Sequence, residues 1–272
     1  MALPRIHAFE LHELPACPQL FRRIATDYLR TVAAVFRAFE PVTPLLASAL
    51  AAHGSGRIVD LCSGGSGPVV SLAEAVKEQT GVATEVVLTD LYPNLPAFRR
   101  AAGDASVAVS FEHEPVNALA MPPHLRGVRT IFDAFHHFRP TQARELLADA
   151  ARARAPLLVV EATERKLSAM IGMVIFVPLL VLLLTPLVRP FSFSRLLFTY
   201  FIPLAVPLIL FDGLVSCLRS YTPAELEAMA QSLRADDYPI RVGQLQTRAG
   251  TLTYLLAGAA APAELAQGSL SA

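Results

Sequence analysis

Arg57-Ile58-Val59-Asp60-Leu61-Cys62-Ser63-Gly64-Gly65-Ser66-Gly67-Pro68-Val69-Val70 is the stretch on which the reading of the whole chain turns. Ile58, Val59 and Leu61 make a short apolar run, partly β-branched, which is the pattern of a buried strand. Asp60 falls at its end, and Cys62 to Gly67 holds only small residues. Ser71 to Gln79 then carries Leu72, Ala75 and Val76 at helical spacing. Strand, small-residue loop and helix open a doubly wound α/β sheet, in which ligands bind outside the carboxyl ends of the strands. Missing side chains let a ligand approach the backbone, and the helix start offers free N–H groups. The same loop also serves as a tight turn with no ligand, so its context decides between the two.

Downstream, the alternation continues. Thr84 to Thr89 reads as a second strand, closed by Asp90. A carboxylate in that place accepts hydrogen bonds from ribose hydroxyls, although an Asp before Pro93 also starts an ordinary turn. Ser106 to Phe111 alternates as a third strand. Asn117, which follows it, has an amide able to pair with an adenine edge or to form a turn. Arg129 to Phe138 reads as a fourth strand ending in His136 and His137. Pro140 to Ala153 is a helix, and Pro156 to Glu161 a fifth strand ending in a carboxylate. Pro239 to Leu245 and Thr251 to Ala257 read as a closing antiparallel pair, and 260–272 as a disordered tail. Regular strand–helix alternation argues for a mostly parallel, Rossmann-like sheet with helices on both faces.

Composition narrows the class. The 272 residues suffice for a large core, and Lys+Arg and Asp+Glu both number 23, so there is no basic field for nucleic acid. Three cysteines at irregular spacing suggest neither a disulfide framework nor a metal site. Pro4, Glu10, Glu13 and Pro15 interrupt any signal-like apolar run at the start.

Residues 1–56 read as an N-terminal helical cap. Phe21, Ile24, Tyr28, Val32 and Phe36 recur at helical intervals over Gln19 to Phe39, Pro41 and Pro44 break the run, and Leu45 to His53 resumes it. The excess hydrophobicity lies elsewhere, in 167–216. Leu167 to Val188 has no charged residue, Arg189 to Arg195 interrupts it, and Leu196 to Phe211 resumes it. About 20 such residues cross a bilayer core, so the segment reads as a membrane-associating helical hairpin. Arg189 and Arg195 in its turn fit a re-entrant course as well as a full crossing. Two buried helices of a soluble core are the remaining alternative.

Taken in order, these features resemble the class I S-adenosylmethionine-dependent methyltransferases. The resemblance is carried by Ile58 to Pro68, Leu88-Thr89-Asp90, Val116-Asn117-Ala118, Phe135-His136-His137-Phe138, Ser220 to Leu226 and Leu252 to Leu256. It covers 57–166 and 217–259, which would form the cofactor-binding domain. It implies that S-adenosylmethionine is the cofactor. Asp60, Cys62, Ser63, Gly64 and Gly65 would lie at its methionine part, Asp90 and Leu91 at the ribose, and Asn117 and Ala118 at the adenine. Cys62 and Ser66 stand where the family has the first and third glycines of the loop. His136, His137 and Glu161, at the ligand-binding edge, are candidate bases. In this family, segments after the fifth strand often build the acceptor site, so the resemblance implies a hydrophobic or lipid acceptor at a membrane. The catalytic domain is then expected on the cytoplasmic side. Aminopropyl transfer and a non-catalytic scaffold are the competing functions. No oligomeric state follows.

Overall fold

The structure, a computed structural model, describes residues 3–14, 16–233, 237–247, 250–260 and 262. In chain order the helices are α1 (Gln19–Val35), α2 (Thr43–His53), α3 (Val69–Thr80), α4 (Leu95–Asp104), α5 (Pro140–Arg152), α6 (Leu167–Leu184), α7 (Phe193–Leu196), α8 (Ala205–Arg219) and α9 (Pro223–Gln231). The strands are β1 (Arg57–Asp60), β2 (Glu85–Leu88), β3 (Ala108–Phe111), β4 (Val128–Phe132), β5 (Leu157–Glu161), β6 (Ile240–Thr247) and β7 (Gly250–Ala257).

The chain divides into two compact units, one of residues 39–162 and 223–272 and one of 1–38 and 163–222. The first contains a seven-stranded sheet in the order β3-β2-β1-β4-β5-β7-β6. β1 to β5 pair in parallel, and β7 pairs antiparallel with both β5 and β6. Every residue of β4 and β5 is buried, as expected of central strands covered on both faces. β3 alternates exposed and half-buried, as an edge strand does. The order reverses between β1 and β4, which puts the switch point of the sheet beside Asp60.

Three sequence expectations change in this unit. β4 ends at Phe132 instead of continuing to Phe138: Asp133 takes a positive φ of 47°, and Phe135–His137 forms a single 3-10 turn. The helical run is broken before Pro44 as expected, but α2 starts at Thr43 instead of Leu45, with Pro44 in its first turn, where a missing N–H leaves no intrahelical bond unmade. Finally, α2 belongs with the sheet, packing on α3, β4 and β5, so the stretch read as a cap over 1–56 is shared between the two units. The tail read as disordered over 260–272 lies, apart from Ala260 and Pro262, outside the described residues.

The second unit is helical. Ile24, Ala25 and Tyr28 of α1 pack with Val181 and Leu184 of α6 and with Ala205 and Ile209 of α8. Its second apolar arm is not one helix. α7 runs on into a π-helical turn over Leu197–Phe201, and that segment meets α8 at 84°. Pro203 has no N–H to carry a helix through the corner. Leu167–Leu187 is therefore the one continuous stretch among the described residues with the length and composition to cross a membrane. At the other end of α8, Arg219 is buried and bonds Glu13 at 2.7 and 3.0 Å and Glu10 at 3.4 Å.

Candidate active site

The loop after β1 is pinned from two sides. The Ser63 hydroxyl donates to the Asp60 carbonyl at 3.0 Å, and the Ser63 N–H donates to the Thr89 carbonyl at 2.9 Å. The Thr89 hydroxyl donates to the same Asp60 carbonyl at 2.8 Å, locking the ends of β1 and β2 together. The Gly64 N–H donates to Asp90 Oδ2 at 2.7 Å, and Tyr92 N–H donates to Asp90 Oδ1 at 2.7 Å. Asp90 thus braces the loop itself. Leu91, between Asp90 and Tyr92, is exposed.

The backbone of this loop is left-handed at four places: Cys62 (φ 58°), Gly64 (52°), Ser66 (81°) and Gly67 (43°). Cys62 and Ser66 therefore hold a conformation that glycine adopts without a Cβ clash. Gly65 is buried at the centre of the turn. The small residues read as room for a ligand also make this turn possible.

Asp60 is buried, and the Thr130 hydroxyl donates to its Oδ1 at 2.6 Å. Burial pushes its carboxyl up to about 7, opposed by the bonds from Thr130 and Ser63 and helped by the charge of Asp90. The Cys62 thiol is pushed far up, first by burial and then by the charges of Asp90, Asp60 and Glu161. It is therefore a neutral, unreactive thiol.

Beyond β4 the chain turns back on Glu161. Phe135 N–H donates to Glu161 Oε1 at 2.6 Å, His136 N–H to the same atom at 3.3 Å, and His136 Nδ1 lies 2.5 Å from Glu161 Oε2. A carboxylate accepting two backbone N–H bonds accepts the third as well, so Nδ1 carries the ring proton. In the neutral imidazole Nε2 is then the basic nitrogen. His137 stacks on His136 with ring centroids 4.3 Å apart. Asp133, which was not singled out from sequence, accepts from Ala162 N–H at 2.6 Å. Its carboxyl is raised, first by burial and then by the charge of Glu161. In the sequence it fell inside the strand read as Arg129 to Phe138, and only the early end of β4 at Phe132 sets it at the strand's edge.

The remaining predicted residues, Asn117 and Ala118, lie on a segment held to Asp90 by a backbone bond. Val116 N–H donates to the Asp90 carbonyl at 2.8 Å, which anchors the Val116-Asn117-Ala118 segment. Asn117 Oδ1 accepts from Leu119 N–H at 3.0 Å, so the turn-forming role is realised, and Ala118 is buried. Two clusters result: Asp60, Ser63, Gly64 and Asp90 at β1 and β2, and His136, His137 and Glu161 at β4 and β5. Among the described residues no Lys or Arg pairs with Asp60, Asp90, Asp133 or Glu161. Among the described residues, the carboxyl groups of this edge are met by the His136 imidazole and by no Lys or Arg side chain.

No family model and no curated relative matches the chain. Similar solved structures include S-adenosylmethionine-dependent methyltransferases. One is SibL in its apo form, at 17% identity and TM-score 0.49, covering 93% of this chain and 61% of that one. Another is the mitomycin 7-O-methyltransferase MmcR, at 19% and 0.46, covering 92% and 59%. A third is magnesium protoporphyrin IX methyltransferase from Synechocystis with bound SAH, at 15% and 0.45, covering 83% and 86%. This chain spans about half the length of the first structures it matches, 47% and 43% in two cases.

Proposed function

We propose that the protein transfers a methyl group from S-adenosylmethionine to a hydrophobic small molecule or lipid. The observation that carries the reading is the pair of carboxyl groups, Asp60 and Asp90, around a small-residue loop, with no Lys or Arg among the described residues paired to either. A dinucleotide would bring a pyrophosphate against Asp60 and Asp90. A sulfonium cofactor is cationic at both its sulfur and its amino group, so the same charges favour it. The donor set therefore fits S-adenosylmethionine, which supplies, when bound, an electrophilic methyl group.

The work of the chain is to hold and align. Asp60 and the Gly64 backbone face the methionine part. Asp90, oriented by Gly64 and Tyr92, retains acceptor capacity for ribose hydroxyls, since a carboxylate offers about four acceptor sites. Asn117 has committed its oxygen to the turn, which leaves its NH2 for an adenine nitrogen. Orientation of a nucleophile contributes most of the acceleration such a reaction needs. Where the acceptor is a hydroxyl, His136 takes its proton at Nε2, and Glu161 acts as the positioning residue. His137 buttresses the ring. The apolar helices after β5 support a membrane source for the acceptor and a sheet unit on the cytoplasmic side.

Calorimetric titration into detergent-purified full chain tests the cofactor. Saturable binding of S-adenosylmethionine, absent for NAD and weakened in Asp90→Asn, is the expected result. A folded wild-type protein that binds neither would overturn the reading in favour of a scaffold. Transfer of labelled methyl from the cofactor into the organic-soluble fraction of a membrane extract tests the acceptor, and label confined to water-soluble products would remove the lipid.

A further inference from the structure

We infer that His12 is a pH-sensitive latch that fastens the N-terminal arm, residues 3–14, to α8. The inference concerns the helical unit alone and is independent of methyl transfer.

α8 is an apolar helix with one polar row. Asp212, Ser216 and Arg219 follow one another at intervals of four and three, so they share a face, and all three are buried. Buried polar groups need partners, and the arm supplies them. The Leu11 and His12 N–H groups donate to Asp212 Oδ1 and Oδ2 at 2.5 and 3.2 Å. Asp212 thus caps the 3-10 turn Leu11–Glu13 from a distant part of the chain. The Ser216 hydroxyl donates to Glu10 Oε1 at 3.0 Å, and Arg219 bonds Glu13 and Glu10. Further along, Ile6 N–H donates to the Leu218 carbonyl at 3.0 Å, and Arg5 Nε to the Arg219 carbonyl at 2.6 Å. Apolar burial adds less: Ile6 is 49% and Phe9 56% exposed, although Phe9 touches Phe211. The arm is held by polar contacts, and these respond to charge.

The charge that changes near neutral pH is on His12. Its Nδ1 lies 3.0 Å from Asp212 Oδ2 and 3.4 Å from Glu10 Oε2. Three carboxylates act on the ring: Asp212 from α8, and Glu10 and Glu13 from the arm itself. The neighbouring cations are engaged elsewhere. Arg219 bonds the two glutamates, and Arg22 of α1 donates to the His12 and Leu14 carbonyls at 2.8 and 2.6 Å. The imidazolium is the cation that Asp212 faces. Burial lowers the pKa of the ring, but the Asp212 bond and the three carboxylates outweigh it, so His12 stands above its ordinary 6.5. Its side chain keeps 28% of its surface exposed, so the proton exchanges with water while the arm is docked.

The sign follows from linkage. A free arm has His12 at about 6.5, and below that value the latch contributes in full. As pH rises through the higher value of the docked arm, the proton leaves and the contribution is lost. The neutral ring still donates from Nδ1 to Asp212, so the arm loosens without the turn losing its cap.

Two measurements on the full chain in detergent test this. Ring NMR of His12, assigned through bonds in labelled protein, reads the titration directly. A pKa above 6.5 is expected, and one at or below it would overturn the inference. Amide hydrogen exchange over Leu11–Glu13, corrected for the intrinsic pH dependence of exchange, reads the docking. Wild-type protection is expected to be constant below about pH 6.5 and then to fall by up to about tenfold per pH unit through the His12 titration. In His12→Gln, whose amide keeps a donor for Asp212 but has no proton to lose, protection should not change with pH. Protection of α8 amides checks that each protein stays folded, and the two wild-type readings do not depend on the variant. A flat wild-type profile, or the same slope in His12→Gln, would overturn the latch.

Discussion

His136 Nδ1 and Glu161 Oε2 lie 2.5 Å apart, both side chains buried, at the carboxyl ends of neighbouring strands. The pair sets the tautomer of the ring. Glu161→Gln keeps the volume but offers an NH2 to Nδ1, which moves the ring proton to Nε2 and removes the base. Activity toward a hydroxyl acceptor is expected to fall by about 10²–10⁴-fold, the usual worth of a general base. Cofactor binding should change little. Nitrogen NMR of the imidazole would show the tautomer exchange, and an unchanged rate in a variant whose tautomer has moved would remove His136 from the mechanism.

The loop after β1 stores strain at Cys62 and Ser66, whose φ values are 58° and 81°. A left-handed residue with a Cβ costs about 1–2 kcal/mol, part of which glycine returns through the greater entropy of its unfolded chain. Cys62→Gly and Ser66→Gly are therefore each expected to stabilise by up to about 1 kcal/mol. Ser66→Val, β-branched, should destabilise by more than either gains. Thermal unfolding of the three variants checks this. A glycine variant that melts lower would mean that the side chains hold the loop through contacts worth more than the strain.

Much of this was legible in the sequence, for reasons that differ by element. β1 and β5 stood out because strands buried on both faces are continuously apolar, and the small-residue loop and Asp90 because a turn and a strand end restrict residue types. β4 was read too long. Its apolar continuation through Phe135 and Phe138 is taken out of the sheet by Glu161, which captures two N–H groups from elsewhere in the chain. Nothing local in Phe-Asp-Ala-Phe announces that. Nor could spacing show that Asp27 pairs with Arg195 across 168 residues. Propensity and periodicity report neighbours in sequence, and long-range hydrogen bonds decide where these elements end.

Asp60 gives the site a pH dependence. Its carboxyl stands at about 7 in the folded protein, because of burial first, against about 3.9 when unfolded. Between those values the folded state binds the extra proton. The contribution of Asp60 to stability is complete below the lower value and is lost as pH rises through about 7. A cation beside it favours the charged form, so binding S-adenosylmethionine below pH 7 should release a proton and tighten as pH rises towards about 7, by up to about tenfold per pH unit, and level off above it. Asp60→Asn should flatten that slope. Calorimetry in buffers of different ionisation enthalpy counts the protons, and a wild-type slope of zero would place the ligand away from Asp60.

Asp27 and Arg195 form a buried ion pair in the helical unit, at 2.6 Å. Such a pair adds little over an apolar replacement, but half of one is costly because the remaining charge has lost its partner. Asp27→Ala should destabilise the helical unit by about 3–5 kcal/mol, whereas Asp27→Leu combined with Arg195→Met should recover much of that. The recovery will be incomplete, because Arg195 also ties the Val188 and Pro190 carbonyls that shape the turn. Unfolding in detergent micelles gives the stabilities. The same variants separate folding from anchoring: Asp27→Ala leaves an uncompensated arginine behind the exposed Phe193 and Phe201 and should partition less into vesicles, while the double variant should partition at least as well as wild type. Equal partitioning of all three would show that the charge pair shapes the unit without governing its contact with lipid.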